Sequence, residues 1–202
     1  MINDPRLALQ SLLAPPQHPQ TRAGYSVASG PSGMVPWALP VLASNLPLYE
    51  RVLWVDTSGR FDPRPLLQQA DDWGIDRFFY INRIQVAQPR TTDHLERFIV
   101  SELLPRSAGD QPVVIADPFH LWDVDGFSPA EKEDRFLRFE DLMANILPRC
   151  LVLSEERRSN MSGFNQRLYL QAARRARLEM KDGFWSVVEL SEKLSSPVKN
   201  PV

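Results

Sequence analysis

Three observations predict an α/β fold with a mostly parallel central sheet. Arg51-Val52-Leu53-Trp54-Val55-Asp56 and Pro112-Val113-Val114-Ile115-Ala116-Asp117 are continuous apolar runs that each end in an acid, the profile of strands buried on both faces. Between such runs lie punctuated segments with apolar residues at helical spacing, so strands and helices alternate. Near the C-terminus two β-prone stretches flank Lys181-Asp182-Gly183-Phe184, and Asp-Gly in that setting marks an antiparallel hairpin.

Taken in order, Leu7, Leu9, Leu12 and Leu13 form a short lead-in helix, which cannot continue through Pro15-Pro16-Gln17-His18-Pro19. Tyr25-Ser26-Val27-Ala28 is a short strand feeding a turn at Gly30. The helix after it is expected to be short, late or kinked. Pro36 suits a first turn, but Pro40 deletes an internal hydrogen bond and Pro47 stops the helix. The 51–56 strand leads to a helix capped by Asp62, with Pro63 at its first position, Leu66, Leu67 and Ala70 on its apolar face and Gly74 as its stop. Phe78-Phe79-Tyr80-Ile81 reads as a strand. Thr91 or Thr92 then caps a helix carrying Leu95, Phe98, Ile99 and Leu103. After the 112–117 strand, Ser128-Pro129-Ala130-Glu131 matches a capping box, opening a helix through Phe136, Phe139, Leu142, Met143 and Ile146. Cys150-Leu151-Val152-Leu153 is the fourth core strand. The division is a lead-in over 1–24, one core domain over 25–190 and a frayed tail over 191–202.

Bulk properties exclude several classes. The 202 residues are 43% hydrophobic and 24% charged, ordinary for one well-cored domain, and a net charge of -2 argues against a surface that coats nucleic acid. Cys150 is the lone cysteine, which rules out an internal disulfide and a cysteine-based zinc site and suits a reducing compartment. No secretory leader and no apolar run near ~20 residues is present, so a soluble cytoplasmic protein without membrane contact is expected.

The stretch Ser29-Gly30-Pro31-Ser32-Gly33-Met34-Val35-Pro36-Trp37 opens like a phosphate-binding loop. Such a loop reads G-x-x-x-x-G-K-[ST]: backbone N–H groups cradle phosphate, the lysine neutralises it and the hydroxyl holds Mg²⁺. Gly30 and Gly33 fit, but Val35, Pro36 and Trp37 stand where glycine, lysine and hydroxyl belong. On this stretch alone an ordinary proline-glycine loop is the better reading.

The order of the pieces over roughly residues 25–190 resembles the core of the RecA/RadA recombination ATPases, especially paralogues without extra domains. The loop follows the first strand, Asp56-Thr57-Ser58-Gly59 follows the second, and Asp117 ends the strand matching Walker B. Residues 151–155 match the strand whose end senses the γ-phosphate. The resemblance implies a RecA-like core, while the departures imply lost catalysis. Pro36 replaces the lysine, Trp37 the metal-binding hydroxyl, and Ser58 the catalytic glutamate, so Asp117 is left with little to hold a metal against. The implied protein is a pseudo-ATPase with no cofactor, in which Trp37 and the helix behind the loop fill the phosphate space.

Other candidate chemistry is sparse. Asp117, His120, Asp123 and Asp125 have no zinc spacing and only a fragment of a calcium loop, so no metal site is expected. His18, His94 and His120 are scattered, and Cys150, opening a buried strand, reads as core. Residues 157–178 carry Arg157, Arg158, Arg167, Arg174, Arg175 and Arg177 and no acid. In the RecA-like recombinases this region includes a mobile DNA-facing loop, so these arginines are candidates for single-stranded DNA or partner contacts, with Phe164 or Tyr169 for base stacking. A solvated or ion-paired basic face is an equal alternative, and Glu155 and Glu156 would repel phosphate. The expected role is that of a DNA repair or recombination accessory, part of an SOS-type response, that binds a recombinase or polymerase and forms homo- or hetero-oligomers. Similarity to SulA- and ImuA-type bacterial proteins adds inhibition of a cell-division protein as an alternative, and an enzyme with a relocated nucleotide site is a third.

Overall fold

The computed structural model describes residues 4–14, 24–44, 49, 51–106, 111–145, 150–156 and 162–192. The expectations placed on residues 15–19, Pro47, Ile146, Arg157, Arg158 and positions 193–202 of the tail fall outside them, whereas the first two tail positions, 191 and 192, belong to the last strand.

Seven strands form one sheet: β1 (Ser26–Pro31), β2 (Val52–Asp56), β3 (Ile84–Ala87), β4 (Val113–Ala116), β5 (Cys150–Glu156), β6 (Arg174–Lys181) and β7 (Phe184–Glu192). Their order is β3-β2-β4-β5-β1-β6-β7. All neighbours run parallel except β6 and β7, which make the expected antiparallel hairpin. The α/β class follows as the apolar runs predict. Alternate residues of each core strand are buried on opposite faces: Val52 and Trp54 enter one core, Leu53 and Val55 the other.

The first core is covered by α1 (Pro5–Leu13), α2 (Met34–Ala43), α3 (Arg64–Asp72) and the short α4 (Arg77–Ile81). On the other face lie α5 (Thr92–Phe98), a π-helical turn (Ile99–Leu103), α6 (Leu104–Arg106), α7 (His120–Val124), α8 (Pro129–Ala144) and α9 (Ser162–Gln171). The lead-in helix α1 is packed into the domain, with Ala8, Leu9, Leu12 and Leu13 buried. Its C-terminal carbonyls are capped by Arg174, whose guanidinium donates to Ser11 O at 2.9 Å, Leu12 O at 2.7 Å and Ala14 O at 2.7 Å. Orphan helix carbonyls are thereby satisfied by a buried cation at the negative end of the helix dipole.

Two local expectations need correction. Residues 78–81 are the helix α4, since the Asp76 side chain accepts the Phe79 N–H and stops the aromatic run from extending. The strand is instead Ile84-Gln85-Val86-Ala87, which pairs with β2 as the sheet edge. Behind the loop, α2 starts directly at Met34 and runs ten residues with Pro40 inside it, so it is not late. Pro36 falls in the first turn, where a missing N–H costs nothing. Two of the three predicted caps lie where expected, whereas α3 begins one residue late, with Pro63 as its N-cap and no side-chain cap bond. Thr91 caps α5, Ser128 and Glu131 form the capping box of α8, and Asp62 accepts the Arg64 N–H one residue outside the α3 cap.

Gly30 is a packing glycine. A Cβ built there would lie 2.9 Å from the Met34 sulfur and 3.2 Å from the Leu178 backbone carbonyl. The carbonyl belongs to the neighbouring strand β6 and cannot retreat. Gly30→Ala is therefore expected to destabilise the protein by ~1–3 kcal/mol through overpacking, read as a lower urea midpoint at unchanged slope.

Candidate functional site

The strand order decides where a site can form. In an open α/β sheet, ligands bind beyond the carboxyl ends of strands at the point where adjacent strands send their following helices to opposite faces. Here β1 continues into α2 on the first face, whereas its neighbour β5 precedes α9 on the second. The crevice therefore opens between Gly30 and Glu155, which face each other in the β1/β5 register. A second such point lies between β2, followed by α3, and β4, followed by α7.

The residues at these ends form one polar network. Gly33, in the left-handed region at φ 96°, turns the chain into α2, which has no side-chain cap and no acid in its first turn. Its free N–H groups are answered by Glu155: Gly33 N–H and Val35 N–H both donate to Oε1 at 3.0 Å. The other carboxylate oxygen, Oε2, accepts from Arg60 Nη1 at 2.9 Å. Arg60 Nη2 donates in turn to Asp117 Oδ2 at 3.0 Å, and Arg60 Nε donates to Ser58 Oγ at 3.0 Å. Ser58 passes its own hydroxyl proton toward Asp56 Oδ1 at 3.1 Å, and Phe61 N–H donates to Asp56 Oδ2 at 2.9 Å. The Asp117 side chain is 1% and that of Glu155 2% exposed, against 34% for Arg60, so the cation closes a buried acidic pair from the solvent side.

Asp117 itself adopts φ 55°, uncommon for a residue other than glycine, and its N–H donates to Leu153 O at 2.7 Å. The Thr57 hydroxyl lies 2.9 Å from Ala116 O and 2.5 Å from Asp117 O and pins this turn to the end of β2.

No protein-family model and no curated protein matches the chain.

The structure thus brings Gly30, Gly33, Ser58 and Asp117 together at the carboxyl ends of the strands. Pro36 sits in the first turn of α2 with its neighbours Val35 and Ala38 buried. Trp37 does not fill the space above the loop, as expected from sequence. It points to the hairpin and stacks on Trp185 of β7, ring centroids 4.8 Å apart. The group that occupies the loop is Glu155, at the end of the strand matched from sequence to the γ-phosphate-sensing strand. Neither Glu155 nor Arg60 is among the sequence-predicted site residues; their pairing needs the β1/β5 register, and the sequence signals for it are the end of the 151–155 strand and an arginine directly after Asp56-Thr57-Ser58-Gly59.

The remaining candidates are spread apart. Arg167 pairs with Glu133 and Glu140 of α8, Arg175 with Glu189 across the hairpin, and Arg177 with Glu156 at 3.3 Å. Phe164 stacks on Phe136, and Tyr169 is buried beneath the Arg175 guanidinium, so both rings are engaged in packing. Asp125 accepts from Thr92 N–H at 2.8 Å, and Asp123 pairs with Lys132 at 3.6 Å. Among the described residues, no group of three or more His, Cys, Asp and Glu side chains is placed to hold a metal ion. Cys150 is buried, and burial pushes its thiol up to about 12, so it is protonated at neutral pH.

Removing the cation leaves two buried carboxylates facing each other. Arg60→Ala is expected to cost ~3 kcal/mol, at the low end for breaking a buried ion pair because Arg60 is one-third exposed. Arg60→Lys is expected to recover little of that loss in urea unfolding, since an ammonium cannot reach Ser58, Asp117 and Glu155 together.

Proposed function

We propose that this chain is a non-catalytic, RecA-like pseudo-ATPase of the cytoplasm that acts as an accessory of DNA repair or recombination by binding a recombinase or polymerase. The observation that carries the reading is the position of Glu155: the N–H groups that would face a phosphate already hold a buried carboxylate. Pro36, Trp37 and Ser58 supply none of the lysine, hydroxyl and glutamate that phosphoryl transfer needs from these positions. A strand order that sets the sensor-like strand between the loop strand and the Asp117 strand supports the RecA-like comparison. With the chemistry gone, the fold serves as a surface. No helix among the described residues is long and apolar enough to cross a membrane, consistent with a partner met in solution.

The surface best suited to a protein partner is at the β3 edge. Phe78 and Phe79 of α4 are 76% and 57% exposed, and Trp73 and Val86 add to the same end of the sheet. Clustered exposed aromatics beside an unpaired strand edge mark interaction sites far more than scattered apolar residues do. The internal pairing of Arg167, Arg175 and Arg177 favours this protein contact over single-stranded DNA as the main mode.

Two measurements test the reading. Wild-type protein is expected to show no ATP turnover and no thermal shift with ATP or ADP and Mg²⁺, whereas a real ligand at ~100 times its Kd would add about 2.7 kcal/mol. ATP hydrolysis abolished by Asp117→Asn would overturn the proposal. Purified recombinases and damage-tolerant polymerases are expected to bind the wild-type chain and to lose at least ~10-fold affinity for a Phe78→Ser, Phe79→Ser double variant of unchanged Tm.

A further inference from the structure

We propose that the groove beside α8 is the interface of a homodimer, in which α8 packs antiparallel against α8 of a second copy about a two-fold axis. The groove, of about 660 Å³, lies between the π-helical turn Ile99–Leu103 and the C-terminal half of α8, with Val100 and Leu142 as its apolar lining. Ile99 and Leu103 are buried, whereas Val100 is 52% exposed. π-Helical turns are rare and occur often at functional sites, so the turn and the groove it walls are two signs of use at one place. On α8, Asp134, Arg138 and Asp141 recur at helical spacing and, with the C-cap Asn145, form one solvent-facing stripe. Leu142 borders the stripe on the groove side, and Leu137, 45% exposed, borders it on the other.

Charge selects the occupant. The groove carries two acids, Glu96 and Asp141, and two bases, Arg97 and Arg138, which sum to zero. A surface of one sign would repel its own copy and call for a partner of opposite sign. Here the order of signs along α8 is self-complementary. A two-fold axis at the level of Phe139 and Glu140 sets position 138 opposite 141 of the other copy, and 134 opposite 145. Arg138 then faces the second copy's Asp141 and Asp134 faces its Asn145, each contact occurring twice. Within one chain Arg138 meets only Asp134, in an exposed i,i+4 pair of little strength that the dimer contact can replace. The same axis brings the two grooves face to face, so Val100 and Leu142 of each copy are covered by the other. None of Phe78, Phe79, Arg60 and Glu155 takes part, so the dimer stands or falls independently of the functional reading above.

The test is sedimentation equilibrium of the full-length chain. Wild type is expected to show a monomer–dimer equilibrium between ~1 and ~100 µM, the range of a small two-helix interface. Arg138→Asp and Asp141→Arg each set like charges across the axis, and each is expected to weaken self-association at least ~10-fold. An equimolar mixture of the two variants is expected to recover the dimer, because every charged pair across the axis is then opposite in sign. That rescue cannot come from altered folding, since both positions are exposed and each variant alone is expected to keep the wild-type Tm. A wild type that stays monomeric at ~100 µM overturns the proposal. So do folded variants that associate as wild type does, or a mixture that remains monomeric, since either result places any dimer on another face.

Discussion

The rim of the sheet depends on one guanidinium. Asp117 and Glu155 lie at the ends of neighbouring strands and are almost wholly buried, and each buried charge costs several kcal/mol unless an opposite charge meets it. Arg60 meets both at once, with separate nitrogens, from the turn after β2. A lysine presents one compact charge and could not span the two. Through Glu155 the same network reaches the loop after β1, so the carboxyl ends of β1, β2, β4 and β5 are joined by a chain of charge-assisted hydrogen bonds. Each strand also gains from hydrophobic burial on both faces, but burial is non-directional. The network is what fixes the relative positions of the four turns.

Glu155 also serves as a remote N-cap. Helix α2 begins without a capping side chain or an acidic residue in its first turn, an arrangement that leaves its positive end unanswered. A carboxylate supplied from β5 answers it, and its two bonds take up the N–H groups of Gly33 and Val35. Pro36 removes a third donor outright. The loop's need for an anion is therefore met within the chain. This explains how a glycine-led turn into α2 is held in place with a proline at position 36 and no capping side chain of its own.

Most of the fold was legible in the sequence because its core strands are buried on both faces and read as unbroken apolar runs ending at Asp56 and Asp117. The helix caps were legible for a similarly local reason: Thr91 and Ser128 each act on the N–H group three residues on. The aromatic run at 78–81 misled because β-propensity reflects packing on a half-buried surface, and here a cap at Asp76 and burial of Tyr80 alone favour one helical turn. The site was legible only in part. Gly30, Gly33, Ser58 and Asp117 carry motif positions, but Glu155 lies 120 residues from the Val35 N–H that it accepts, and no local pattern encodes that separation. Trp37 was misplaced for the same reason, since its partner Trp185 belongs to the distant hairpin.

The tethering of the anion decides how such a loop behaves toward ligands. A group held in place by a flexible linker already acts at about millimolar effective concentration, and one fixed on a strand exceeds this because almost no freedom remains to be lost. Glu155 is fixed in that way by its ladder partner Gly30. A free phosphate must pay its own translational entropy and must also leave the displaced carboxylate buried, acidic and without its donors, next to Asp117. Both terms oppose exchange, so Glu155 is held against displacement by more than steric overlap. Relief would come from moving the end of β5 away from β1, which would part Arg60 from one of its two carboxylates. Ligand access and the integrity of the four-strand rim are thus a single equilibrium, governed by the same three side chains.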